Sequence, residues 1–253
     1  MLVCAITACV LANAQSFEAR TFKSAGGEEL LYQELDPVAK AKGGKYPLVI
    51  FLHGAGERGN DNKAQLTHGS GVFLNPSNAE KYPAYVVFPQ CPEGTTWAYD
   101  AGSKPEWSTL PQNLPADNPE STMSKLLIEF IRNFIASHPD INTKRIYISG
   151  LSMGGIGTFD IVSRHPDLFA AAVPICGCVN PAKLSAAKDV SWSIYHGEKD
   201  SVVPTFGSRE AYKALSAAGA KVRYKEFAGC DHGSWNPAFN EADFLDWIFK
   251  QHK

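Results

Sequence analysis

The chain has 253 residues, 44% of them hydrophobic and 20% charged, with a net charge of -2 when its seven histidines are neutral. That length suits one large α/β domain, which buries roughly three quarters of its unfolded surface and needs no metal or staple to hold its core. No basic stretch is long enough to neutralise a run of phosphates, which argues against nucleic-acid binding, and no apolar run reaches the ~20 residues of a membrane-spanning helix.

Leu2 to Leu11 form a short apolar run, followed by Ala12-Asn13-Ala14, the small-x-small pattern of a signal-peptide cleavage site. A basic n-region is missing. The reading is a signal peptide over 1–14, a mature protein that begins near Gln15 and works outside the cytoplasm, and a single catalytic domain over 15–253. Cleavage removes Cys4 and Cys9 and leaves Cys91, Cys176, Cys178 and Cys230. No CxxC pair is present to suggest a zinc site, and no metal is expected.

Phe17 to Ser24 and Glu29 to Leu35 read as two strands of a hairpin across Gly26-Gly27. Ala41 to Lys45 is a polar linker. Pro47 to Leu52 is a continuous apolar run, as suits a strand buried on both faces of a parallel sheet. Tyr85 to Pro89, Arg145 to Ser149, Ala170 to Ile175, Ser191 to Tyr195 and Val222 to Phe227 repeat that pattern. Between them, Ser121 or Thr122 can cap a helix with Leu126, Leu127, Phe130, Ile131, Phe134 and Ile135 at helical spacing, ended by His138-Pro139. Arg209 to Ala218 and Ala238 to Gln251 also read as helices. The alternation predicts a mainly parallel twisted sheet with helices on both faces and an N-terminal antiparallel hairpin. Gly94 to Glu120 is long, rich in Pro, Ser, Asn and Gly, and carries Trp97, Tyr99 and Trp107. It reads as a loop that covers or lines a pocket.

Gly150-Leu151-Ser152-Met153-Gly154 is a G-x-S-x-G placed directly after a buried strand and before a helix. A serine hydroxyl is a poor nucleophile and must be held against a base, and a sharp strand-to-helix turn presents it there. Asp200 follows the penultimate strand and His232 the last one. The order Ser152, Asp200, His232 is that of the α/β-hydrolase fold. In this arrangement His232 takes the serine proton and returns it to the leaving alcohol, while Asp200 fixes the tautomer and stabilises the imidazolium. Glu198 is the rival acid and His196 the rival base, but His196 precedes Asp200 by too little chain to reach Ser152 from a separate strand end. The glycines of His53-Gly54-Ala55-Gly56 free the backbone to aim amides at the reacting carbonyl. The backbone N–H groups of Ala55 and Met153 are assigned to the oxyanion hole, each worth on the order of 10²–10³ in rate. The spacing does not match a phosphate-binding loop. His53 itself is read as packing or hydrogen-bonding locally.

Three segments carry a family resemblance: Leu52-His53-Gly54-Ala55-Gly56-Glu57-Arg58-Gly59, Gly150 to Gly155, and Arg164-His165-Pro166-Asp167-Leu168-Phe169. With Pro174-Ile175-Cys176-Gly177 and His232-Gly233-Ser234-Trp235, they resemble the secreted bacterial esterases. These are grouped with polyhydroxybutyrate depolymerases and with the feruloyl and acetylxylan esterases of carbohydrate esterase family 1. The resemblance runs from about Phe17 to the C-terminus. It implies a serine esterase working without cofactor, often on plant cell-wall polysaccharide, so that the expected partner is an acylated hemicellulose or its oligosaccharides.

Trp97, Tyr99, Trp107 and Trp235 are the aromatic residues placed near the pocket mouth, where a ferulate ring or a sugar could stack. In the usual strand order one strand separates those that precede Cys176 and Cys230. Two spacings of about 4.8 Å exceed the ~7 Å Cα limit of a disulfide, which makes Cys178 the better partner for Cys230. Three alternatives accompany the esterase reading. A general short-chain carboxylesterase or polyester depolymerase uses the same core. A serine peptidase of this fold normally carries a propeller or cap domain, for which there is no room. A non-catalytic binding hydrolase conflicts with an intact set of Ser152, Asp200, His232 and glycine-rich loop.

Overall fold

Every side chain of the run 47–52 is buried, because the strand it forms has helices on one side and on the other. The computed structural model describes residues 15–39, 41, 44–100 and 115–253. Its frame is one sheet of eight strands: β1 (Glu18–Lys23), β2 (Glu29–Leu35), β3 (Tyr46–Leu52), β4 (Tyr85–Pro89), β5 (Ile141–Leu151), β6 (Ala171–Ile175), β7 (Ser191–Gly197) and β8 (Val222–Phe227). Their spatial order is β1-β2-β4-β3-β5-β6-β7-β8. β3 through β8 run parallel, and the β1–β2 hairpin joins β4 antiparallel. This is the α/β-hydrolase arrangement that the alternation of runs predicts. β5 is longer than the apolar run alone suggests, because Ile141 pairs with Tyr46 ahead of the polar residues 142–145.

The helices are α1 (Ser70–Leu74), α2 (Pro76–Lys81), α3 (Thr122–Ser137), α4 (Met153–Arg164), α5 (Thr205–Ala217), α6 (Trp235–Phe239) and α7 (Phe244–Phe249). Leu48, Ile50 and Leu52 point to the face covered by α3, α4 and α5, where they join Leu127, Phe130, Phe159 and Leu215. Val49 and Phe51 point to the opposite face, with Phe73, Phe244, Leu245 and Ile248. That is the period-two alternation of a strand with both faces covered. Ser121 caps α3, its Oγ accepting from Ser124 N–H at 3.0 Å. The single helix expected over 238–251 is instead two short ones. The bend between them lets Phe239 reach Phe51 and Phe244 reach Tyr195 on the same apolar face.

Among the described residues no helix is long and apolar enough to cross a membrane. The segment 1–14 and Trp107 lie outside the described residues. Cys91, Cys176, Cys178 and Cys230 are all free thiols, so the expected Cys178–Cys230 bridge is not formed. Cys178 is fully buried among Tyr99, Ile156 and Val203, whereas Cys230 is half-exposed.

Candidate active site

Parallel strands end together, and the side chains at their C-terminal ends meet above the sheet. β5 ends at Leu151, and the turn into α4 forces Ser152 to a backbone φ of +53°, a strained conformation for a residue with a Cβ. Ser152 N–H donates to the Ile175 carbonyl at 2.9 Å, which fixes the turn against the end of β6. The glycines around it allow contact between backbones. A methyl group at Gly154 would strike the carbonyls of Leu52 and His53, and one at Gly150 would strike Gly154. The start of α4 therefore lies directly on the end of β3.

Asp200 lies just beyond β7. The amides of Val202 and Val203 donate to its Oδ1 at 2.9 and 2.8 Å, which aims the carboxylate inward. His232 Nδ1 stands 2.9 Å from Asp200 Oδ2 and 3.0 Å from Oδ1, and its Nε2 stands 2.9 Å from Ser152 Oγ. The carboxylate accepts, so Nδ1 carries the proton and Nε2 is left to accept from the serine hydroxyl. Asp231 ties the two loops together: its Oδ1 accepts from His232 N–H, Ser201 N–H and Ser201 Oγ–H, each at 2.8 Å. Glu198, the rival acid, instead accepts from Gly229 N–H at 2.6 Å. His196, the rival base, is fully buried behind Asp200, its Nε2 3.2 Å from Oδ2.

Burial on its own would raise the Asp200 pKa. Hydrogen bonds from His196, His232 and the amides of Val203 and Val202 outweigh it and hold the carboxyl well below its ordinary range.

The loop after β3 has its carbonyls tied by side-chain donors. Cys91 N–H donates to His53 Nε2 at 2.9 Å, which leaves Nδ1–H to donate to the Gly54 carbonyl at 2.6 Å. Burial, aided by the charge of Arg58, pushes the His53 pKa down to about 4 and keeps the ring neutral. Trp97 Nε1–H donates to the His53 carbonyl at 3.1 Å, and Arg58 Nε–H to the Ala55 carbonyl at 3.0 Å. In a planar trans peptide the carbonyl and the N–H point in opposite directions, so holding the Gly54 carbonyl also aims the Ala55 N–H. Neither Ala55 N–H nor Met153 N–H has an acceptor among the described residues.

The aromatic residues divide. Trp235 stands beside the site, its ring 5.5 Å from that of His232 and nearly perpendicular to it. Trp97 and Tyr99 do not line a mouth, because they are 0% and 4% exposed. Trp97 fills the space between His53 and Gly157, and Tyr99 packs on Val203. Their apolar bulk is used to support the loop after β3 and the Asp200 loop. Sequence reasoning missed the roles of Arg58, Asp231 and His196; Arg58 was signalled only by its place in the motif of residues 52–59, and the other two by their nearness in the chain to His232 and Asp200.

One group among the described residues, Cys176, Asp200 and His232, brings ligand-type atoms within 4.8 Å of one another. Burial pushes the Cys176 thiol up and keeps it protonated, and the other two are already hydrogen-bonded to each other. The donor set fits a proton-transfer row better than a metal.

A parallel sheet that carries a serine on a strained turn, with a histidine and an aspartate from later strand ends, defines an α/β-hydrolase of the serine type. Residues 34–247 match the phospholipase/carboxylesterase family, and the chain belongs to it. It is a carboxylesterase of the α/β-hydrolase fold. A thermostable esterase of known structure is 37% identical, with a TM-score of 0.83 over 94% of this chain and 63% of that one. A probable carboxylesterase, SOBER1-like, of Arabidopsis thaliana is 26% identical over 80% of this chain and 78% of its own length. The bifunctional acetylxylan esterase/xylanase XynS20E of Neocallimastix patriciarum is 25% identical over 76% of this chain, which spans 26% of that protein.

Proposed function

We propose that the chain is a serine esterase that removes acyl groups, acetyl or feruloyl, from plant cell-wall polysaccharide through an acyl-enzyme. Ser152 Oγ attacks the ester carbonyl as its proton passes to His232 Nε2. The N–H groups of Ala55 and Met153 receive the oxyanion, and the alcohol leaves with the proton from Nε2. Water then attacks the acyl-serine, gives a proton to Nε2, and the acid departs as Ser152 regains its hydrogen. Asp200 stays charged throughout and balances the imidazolium. The single observation that carries the reading is the unbroken row Asp200–His232–Ser152, with contacts of 2.9 Å at each step.

The sequence resemblance to carbohydrate esterases and the match to an acetylxylan esterase support the substrate class. The same reading takes 15–253 as the catalytic domain of a protein that works outside the cytoplasm after removal of 1–14. Turnover of methyl ferulate, acetylated xylan and a peptide amide by purified protein tests it. Hydrolysis of either ester, with the amide untouched, is the expected pattern. Ser152→Ala should lower kcat by a factor on the order of 10⁶. Cleavage of the amide alone would defeat the proposal.

A further inference from the structure

We infer that Glu57, His68 and Trp235 form a receptor for a hydroxylated leaving alcohol, a sugar ring in the reading above, on which this inference rests. The three residues come from separate segments and follow one another from the Gly54 loop to His232. Glu57 lies one short helical turn beyond Gly54, and its side chain folds back toward Ser152. The point where a Cβ on Gly54 would sit is 3.1 Å from Glu57 Oε2 and 3.6 Å from Ser152 Cβ. Glu57 Oε1 is 3.8 Å from His68 Nε2, and the His68 ring lies 5.1 Å from that of Trp235. Trp235 in turn packs edge-to-face on His232, which is bonded to Ser152.

What the Glu57 carboxylate and the Trp235 indole N–H of this wall lack, among the described residues, is a hydrogen-bond partner. The Glu57 side chain is 14% exposed, yet among the described residues no donor comes within hydrogen-bond distance of its carboxylate. A carboxylate so placed is poorly solvated, and its charge opposes the oxyanion that must form nearby. Such a group is tolerable when the substrate itself brings a donor. Trp235 Nε1–H is likewise buried without an acceptor among the described residues. An acceptor and a donor, both unspent, beside an aromatic ring packed on His68 and His232, are a set that a polyol satisfies and an alkyl chain does not. The wall borders the leaving-group side, because His232 delivers its proton to the departing oxygen and Trp235 packs on His232. A quaternary ammonium would pair with the carboxylate but offers nothing to the imidazole.

The test holds the acyl group constant. Acetylated xylo-oligosaccharide, ethyl acetate and acetylcholine are compared with wild type, Glu57→Gln and His68→Asn, each variant first shown to melt as a folded protein. The expected result is that kcat/KM for the sugar ester falls at least ten times further than that for ethyl acetate, mainly through KM. Either variant serves if the other fails to fold. Equal losses on the sugar and ethyl esters overturn the inference, as does acetylcholine being the ester most affected. Both outcomes leave the esterase reading standing. Wild-type protein that turns over none of the three esters defeats that reading and this one together.

Discussion

His196 Nε2 stands 3.2 Å from Oδ2 of Asp200, the same oxygen that lies 2.9 Å from His232 Nδ1. The second histidine also reaches the Val203 carbonyl at 3.0 Å and Ser208 Oγ at 2.7 Å, so its ring cannot turn away. It holds the back of the carboxylate while His232 uses the front. A hydrogen bond to a charged group contributes about 1.5–3 kcal/mol, and that range corresponds to roughly 10–100-fold in rate. His196→Phe should therefore lower kcat by about that factor with little change in KM. Steady-state kinetics at several pH values measure it, and an unchanged kcat would remove His196 from the site.

The depressed Asp200 pKa fixes how the enzyme loses activity in acid. With the folded value below the ordinary 3.8, the stability that its ionised form contributes is fully present above that pH. It is lost only as pH falls through the lower folded value. Above pH 4 the carboxylate is therefore charged, and protonation of Asp200 takes no part in the loss of turnover there. The acid limb of kcat/KM should follow the uptake of one proton. A limb of slope two, with the protein still folded by circular dichroism, would contradict this.

How far the sequence could be read depended on the kind of signal. Strands β3 to β7 were legible because burial on both faces leaves an apolar run, whereas β8 is an edge strand with no fully buried residue; the order of the strands placed Ser152, Asp200 and His232 at their ends. The helices over 70–81 left no trace, since two short helices have no room for a periodic stripe. Trp97 and Tyr99 were misplaced because an aromatic residue in a polar loop gives the same sequence signal whether it faces ligand or props up a neighbouring loop. Glu57 and His68 were passed over because their significance is a distance, 3.8 Å, between segments with no shared motif.

His53 supplies a prediction that joins rate to stability. Without its ring the Gly54 carbonyl loses its donor, and the Gly54–Ala55 peptide is free to turn its N–H from the substrate. His53→Ala should cost on the order of 10² in kcat, the scale of a lost oxyanion donor. The buried ring also makes the fold sensitive to acid. Its pKa falls from 6.5 to about 4 on folding, so between those values the unfolded chain holds a proton that the folded one does not. Stability therefore declines as pH drops from about 6.5 toward 4. Melting temperature followed over that range should fall more steeply for wild type than for His53→Ala; parallel curves would show that the ring is not held neutral.

Gly154→Ala tests whether the backbone contact between α4 and β3 positions the oxyanion donors. The added methyl meets two backbone carbonyls, Leu52 and His53, which cannot swing aside as a flexible side chain would. Overpacking of this kind costs about 1–3 kcal/mol or more. The strain should be relieved by α4 moving off β3, which separates Met153 from Ala55 and lowers kcat together with stability. Gly71→Ala is the control: Gly71 lies in helix α1 with nothing within 4 Å of the new methyl, and should gain roughly 0.4–1 kcal/mol. Urea denaturation of both variants, with kcat measured on the folded fraction, separates the outcomes. If Gly154→Ala keeps full kcat while losing stability, the donors are aimed by the loop after β3 alone, and close packing of the two backbones serves only the fold.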